Sequence, residues 1–185
     1  MKKSKPYDML FDFVTGNEVP NIGSEEIRQR VERFLIETKG YGKGDIEVDA
    51  PLELTIGEKE IRSNVDLVVG VSGKRFMVLK CVPGSLGSRR RETLAAARLL
   101  EAYQIPFSVV TDGKNAELLD TVTGEMIDDG MEAIPCRDDA AQWLKRLRIE
   151  PFPRERLERE KIIFRSYDEM NVNVQRKLKG TGAKP

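Results

Sequence analysis

Apolar positions change period from segment to segment along the chain, and the changes mark its elements. Ile27, Val31, Phe34 and Leu35 recur at helical spacing behind Ser24, Glu25 and Glu26, a capping hydroxyl followed by acids in the first turn. This predicts a helix that ends at Gly40. In DIEVDAPLELTI the residues Ile46, Val48, Ala50, Leu52, Leu54 and Ile56 alternate strictly, the pattern of a half-buried strand with one apolar face. IRSNVDLVVGV and RFMVLKCV follow, joined at Ser72 and Gly73, and predict a central β-hairpin. Behind the glycine-rich PGSLGS, Leu94, Ala97, Arg98 and Glu101 fall on successive turns of a helix over 89–103. IPFSVVTD is a further apolar strand, and AELLDTV and GEMI form an edge hairpin turning at Thr123 and Gly124. A helix over 138–148 carries Trp143, Leu144 and Leu147. Pro151 and Pro153 break it, and RERLEREKIIFRSYDEM predicts a last helix.

The resulting order, α-β-β-β-α-β-β-β with appended helices and no internal repeat, specifies an α/β (α+β) domain around a mixed central sheet flanked by helices. Residues 1–150 are expected as a single domain, 151–171 as an appended helix and 172–185 as a disordered basic tail. Leu157, Ile163, Phe164, Tyr167 and Met170 give the last helix more apolar surface than a free helix exposes. It is therefore expected to pack on the domain, on a second copy in a homodimer, or on a partner protein.

Composition narrows the chemistry. The 185 residues are 39% hydrophobic and 34% charged, which suits one globular domain with a charged surface. No apolar run is long enough for a membrane span, and MKKSKPYDML lacks the apolar stretch of a signal peptide. Cys81 and Cys136 have no zinc-type spacing and point to free thiols in a reducing cytoplasm. Acidic and basic residues balance at 31 each, so any nucleic-acid contact must come from a local patch. The chain has no histidine, which removes Ser-His-Asp and Cys-His triads and every histidine-based metal site. Hydrolysis would then need a hard metal on carboxylates, with lysine as helper.

Five pieces spread over residues 23–126 carry a resemblance: EEIRQRVERFLI, KGYGKGDIEVDAPLEL, RSNVDLVV, LKCVPG and IPFSVVTDGKNAELLDTVTGE. With Asp66 on the second core strand, they resemble the N-terminal nuclease-like domain of type I restriction enzyme R subunits and its small stand-alone relatives. That domain belongs to the PD-(D/E)XK restriction-endonuclease-like superfamily. The resemblance implies that fold, DNA as partner and Mg²⁺-dependent phosphodiester cleavage. An Asp and a Glu hold the ion in that family, and a Lys two residues after the Glu orients or activates water. Asp66 matches the Asp, the candidate metal ligand here. The Glu is missing. Aligned without gaps on Pro83 and Gly84, the chain has Leu79 for the Glu and Cys81 for the Lys; with Lys80 as the family lysine, Val78 takes the Glu position.

Hairpin register separates these alignments, since a slip of one residue turns every side chain to the other face. A two-residue turn at Ser72 and Gly73 pairs Asp66 with Leu79 and sends Lys80 to the opposite face. A three-residue turn puts Val78 and Lys80 on the face of Asp66, and glycine at its third position favours it. Two acids are candidates for a substitute carboxylate. Glu26 matches a family Glu that borders the site, and Glu92 is the only acid near the start of the next helix. Glu26 also suits a helix N-terminus, and Glu92 also suits neutralising the neighbouring arginines. Asp66 and Lys80 can equally form a buried relict pair. In SLGSRRRE, Arg89, Arg90 and Arg91 oppose the helix dipole and, with free N–H groups, offer a phosphate site; a solvated charge run is the plain alternative. The function expected is a nucleic-acid-engaging nuclease-like domain with an incomplete motif, weakly active or inactive. The alternatives are a live Mg²⁺-dependent endonuclease using Asp66, Lys80 and Glu26 or Glu92, and a non-catalytic protein-interaction module.

Overall fold

The structure, a computed structural model, describes residues 7–180, with side chains as far as Met170. A short antiparallel ribbon, β1 (Met9–Phe11) and β2 (Glu18–Pro20), comes first. Strands this short show no alternation, so the sequence pattern gave no sign of them. Next comes α1 (Glu25–Arg33), extended by one wider π turn, Phe34–Thr38, and closed where Gly40 turns left-handed at φ 77°.

Six strands then form one mixed sheet in chain order: β3 (Ile46–Ile56), β4 (Lys59–Val71), β5 (Lys74–Cys81), β6 (Phe107–Thr111), β7 (Ala116–Asp120) and β8 (Met126–Asp129). Neighbours are antiparallel except β5 and β6, which run parallel through the crossover helix α2 (Arg90–Leu99). This is the α+β architecture expected. β5 from Phe76 to Leu79 and all of β6 are buried, as befits a central parallel pair covered on both faces. On one face α1 and α3 (Arg137–Arg146) pack Val31, Leu35 and Ala140 against Leu67, Val69, Leu79 and Phe107. On the other, α2 and α4 (Leu157–Gly180) set Ala95, Ala96 and Phe164 against Leu52, Val68 and Val78. The last helix thus packs on its own domain. Among the described residues no helix is long and apolar enough to cross a membrane.

Three boundaries differ from expectation. α2 stops at Leu99 rather than at 103: the chain turns back after Leu100, and the Ile105 N–H returns to the Ala97 carbonyl, 2.9 Å, burying the side chain. A 3₁₀ turn, Leu86–Arg89, precedes α2, so Arg89 stands at its cap. α4 continues to Gly180 through much of the stretch expected as a disordered tail. No proline or glycine interrupts it earlier, and Gln175, Arg176, Lys177, Leu178 and Lys179 are good helix formers. Residues 181–185 of that stretch lie outside the described residues.

The β4–β5 hairpin fixes what meets at its far end. Its turn has two residues, not the three favoured by the sequence: Val71 faces Lys74, and Ser72 and Gly73 both take positive φ, 52° and 76°. That is the primed turn whose twist matches the strands, with serine accepting the left-handed position glycine usually takes. The register then shifts. Gly70 faces Arg75 but Val69 faces Met77, so Phe76 is an extra, bulged residue. Beyond the bulge Leu67 faces Leu79, and Asp66, one step on, stands across from Lys80.

β3 and β4 roll over at the same point. Ile46 and Val48 of the predicted apolar face pack in the α1 layer, whereas Ala50, Leu52 and Leu54 pack in the α2 layer. The change falls at Asp49, which has φ 51° and interrupts the pairing between Val48–Leu67 and Ala50–Val65. Asp66 lies at this crossover.

Phe164 is 3% exposed and holds α4 to α2 and the sheet. Phe164→Ala should lower unfolding free energy by about 3–5 kcal/mol, measured by urea denaturation.

Candidate functional site

The chain places an ammonium between two carboxylates where strand, loop and helix meet. Lys80 Nζ lies 2.9 Å from Asp66 Oδ1 and 3.3 Å from Glu92 Oε1. Asp66 reaches it from across the hairpin, and its Oδ2 accepts from the Cys81 N–H at 2.8 Å. Glu92 comes down from the first turn of α2. Its face of the helix continues through Ala95, Ala96 and Leu99, and the alanines let α2 approach β5 closely. Burial by itself lowers the Lys80 pKa, but Asp66 and Glu92 outweigh it and hold the ammonium above the usual lysine range.

Two residues before Lys80, Val78 lies on the same side of β5, wholly buried against α2. Leu79 and Cys81 point into the α1 layer. Geometry therefore joins the side chain of Lys80, not that of Cys81, to Asp66, and leaves a valine at the position that the resemblance assigns to glutamate. Burial and then the nearby Asp66 push the Cys81 thiol pKa well up. A depression with space for about one water molecule, ≈ 10 Å³, opens beside the triad between Asn64, Val78, Thr93 and Phe164.

Of the two substitute carboxylates considered, Glu92 joins this centre and Glu26 does not. Glu26 is exposed and accepts from the Asn21 side-chain amide at 2.8 Å. Glu25 is the acid that turns inward, at the start of a polar stripe with Arg28, Gln29 and Glu32 at i, i+3, i+4 and i+7. Arg28, 5% exposed, gathers Glu25 (2.9 Å), Asp49 (2.9 Å), Asp12 (3.3 Å) and Glu32 (3.7 Å) around one guanidinium. Asp49 ties this network to the strand crossover beside Asp66. The residues were missed because the apolar stripe beside them explains the helix by itself, and Asp49 sits among the outward positions of β3. Polar spacing at i, i+3, i+4 and i+7 was the available signal.

The three arginines part company. The Arg89 guanidinium donates to Glu92 at 3.0 Å, Arg90 grips Glu117 with two bonds of 2.6 and 2.7 Å, and Arg91 lies 3.6 Å from Glu160 of α4. Arg90 and Arg91 are 40% and 47% exposed in their side chains, and each keeps solvent-facing donors.

Compared with known protein families, residues 23–135 match the model described as Type I restriction enzyme R protein N terminus (HSDR_N). Neither the curated proteins nor the solved structures contain a match.

Glu32 generates a pH prediction. Its side chain is fully buried, Oε2 accepts from the Val14 N–H at 3.3 Å, and Oε1 has no hydrogen-bond partner among the described residues. Burial, then the Asp12 carboxylate, raise its pKa from 4.5 to about 7 against the pull of Arg28. The folded state thus holds a proton that the unfolded state has lost. This stabilisation is complete below the unfolded pKa and drains away as pH rises toward about 7. Glu32→Gln should flatten that slope, so that the variant gains stability relative to the wild type at pH 8 more than at pH 4.5 in thermal or urea unfolding.

Proposed function

Because the chain belongs to the type I restriction enzyme R protein N-terminus family, we propose that it is a DNA-engaging, restriction-endonuclease-like domain of the PD-(D/E)XK type whose hydrolytic centre has been reduced to an ion triad. The carrying observation is the position of Lys80, held by both carboxylates that would otherwise face a metal ion. A resident Mg²⁺ requires a nearly octahedral set of oxygens. Here the donor set is Asp66 and Glu92 alone, one oxygen of each is taken by the ammonium, and a second oxygen of Asp66 is taken by Cys81 N–H. Among the described residues no group of three His, Cys, Asp or Glu is placed to hold a metal. These residues do not fit the ion, and the reading proposed derives no cleavage step through it.

DNA engagement rests on the family and on the arginines at the mouth of the same centre. Arg89 belongs to both, through its bond to Glu92. Phosphate contact exchanges one anion for another at each guanidinium, so affinity is weak and salt-dependent. Both cysteines are free thiols, which suits the reducing cytoplasm proposed for the protein.

A second reading has one observation in its favour: Glu92 converges with Asp66 and Lys80, the constellation a live nuclease with a migrated carboxylate would use. Plasmid incubated with Mg²⁺ or Mn²⁺ separates the two. The triad reading expects nicking no faster than with Asp66→Asn. Metal-dependent nicking by the wild type that is lost in both Asp66→Asn and Glu92→Gln would replace it with the second reading.

The DNA contact has its own measurement. Three phosphate contacts allow a slope of log affinity against log salt of at most about −3. Replacing Arg89, Arg90 and Arg91 by Gln should weaken binding of a short duplex and flatten that slope. Unchanged affinity and slope would make the arginines a brace and move the function to a protein-interaction module.

A further inference from the structure

The C-terminal helix borders both the Lys80–Glu92 depression and the arginines read above as phosphate contacts. Phe164 of α4 forms one wall of the depression beside Lys80 and Glu92. Three residues on, the Tyr167 ring lies under the Arg89 guanidinium, 5.9 Å to the ring centroid. Asp168 Oδ1 accepts from the Ser63 hydroxyl at 2.6 Å, which pins the helix to β4 three residues from Asp66. One turn earlier, Glu160 stands 3.6 Å from Arg91 and accepts from Arg98 at 2.8 Å. One helix therefore touches two of the three candidate phosphate-binding arginines and the rim of the ion triad.

Its attachments differ in strength along its length. Glu160 and Phe164 are 4% and 3% exposed, and the Glu160–Arg98 pair is buried on both sides. This inner part is core. Tyr167 and Asp168 are only half-buried, and they hold to the domain by a cation–π approach to Arg89 and a hydrogen bond from Ser63 to the carboxylate. Beyond Asp168, Glu169 turns back to Arg165 on its own helix and Met170 is exposed. The outer part can lift without opening the core.

We infer that the outer part of α4 is a built-in strap. Held down by Tyr167 and Asp168, it covers Arg89 at the rim of the Asp66–Lys80–Glu92 centre, and it competes with DNA phosphate for that guanidinium. Apparent affinity is then the intrinsic affinity reduced by the fraction of molecules whose strap is lifted. The inference rests on the DNA-engaging reading.

Binding of a short mixed-sequence duplex is measured for the full chain and for Tyr167→Ala/Asp168→Ala, with alanine keeping the helix. Losing one charge-assisted hydrogen bond and one exposed cation–π contact should raise affinity roughly threefold to thirtyfold. Asp168→Ala also removes a negative charge, so Glu169→Gln serves as the control. It deletes the same charge one residue away, outside the strap contact, and should stay within about twofold of the wild type. On the unaltered protein, adding the duplex should increase amide exchange in residues 165–170. Equal affinities for the wild type and the double variant, with exchange unchanged by DNA, would overturn the strap and leave DNA engagement standing. A gain in Glu169→Gln equal to that of the double variant would also overturn it, as a plain charge effect. Absence of binding by every protein tested would overturn both readings.

Discussion

Phe76 is the extra residue that turns Asp66 and Lys80 toward each other. With a two-residue turn and no bulge, parity would send Lys80 into the α1 layer toward Leu67, Val69 and Phe107, an ammonium in an apolar core. The bulge restores the side on which an acid is waiting and leaves Val78, not a charged residue, packed under α2. The whole candidate site follows from that choice. Glu92 can close over Lys80 because Val78 and the alanines of α2 make a thin layer between helix and strand, and Arg89 then stands at the rim because Glu92 is three residues further on.

Charge is balanced in pieces along this rim. Lys80 and Arg89 answer Asp66 and Glu92, so the centre is nearly neutral although it is built wholly from ions. Such a cluster contributes little net stability once desolvation is counted, but removing one member leaves its partners uncompensated. The network around Arg28 is balanced differently. One guanidinium serves four carboxylates, and the excess of negative charge is reduced by Glu32 holding a proton up to about neutral pH. The two clusters flank the crossover of β3 and β4, one on each layer, and a chain without histidine has thereby placed a near-neutral titration in a glutamate.

Much of this was legible before the fold. Strict alternation gave β3 and the hairpin, helical spacing gave α1, α2 and α4, and Glu92 could be picked out as the one acid near the head of α2. Lys80 was placed on the face of Asp66, but by a three-residue turn; the true route, a left-handed serine plus a bulge, leaves no mark in a hydrophobic pattern because Phe76 and Met77 are both apolar. Glu26 was chosen where Glu25 turns inward. Adjacent acids in a first turn serve the helix equally, and only the tertiary network that Arg28 makes with Asp12 and Asp49 separates them. The partners of Arg90 and Arg91 were hidden for the same reason: Glu117 is brought near by the sheet order and Glu160 by the packing of α4 on α2.

The two rims of the sheet carry a consequence for company. On β3 the residues turned outward are Asp49, Pro51, Glu53 and Thr55, and on β8 the strand is short, fully exposed and ends in Asp128 and Asp129. Proline withholds a backbone donor, and acids repel their own copies. A neighbouring chain adding a strand to this sheet meets a withheld donor at one rim and like charge at the other, which steers any assembly away from the six-stranded sheet's edges.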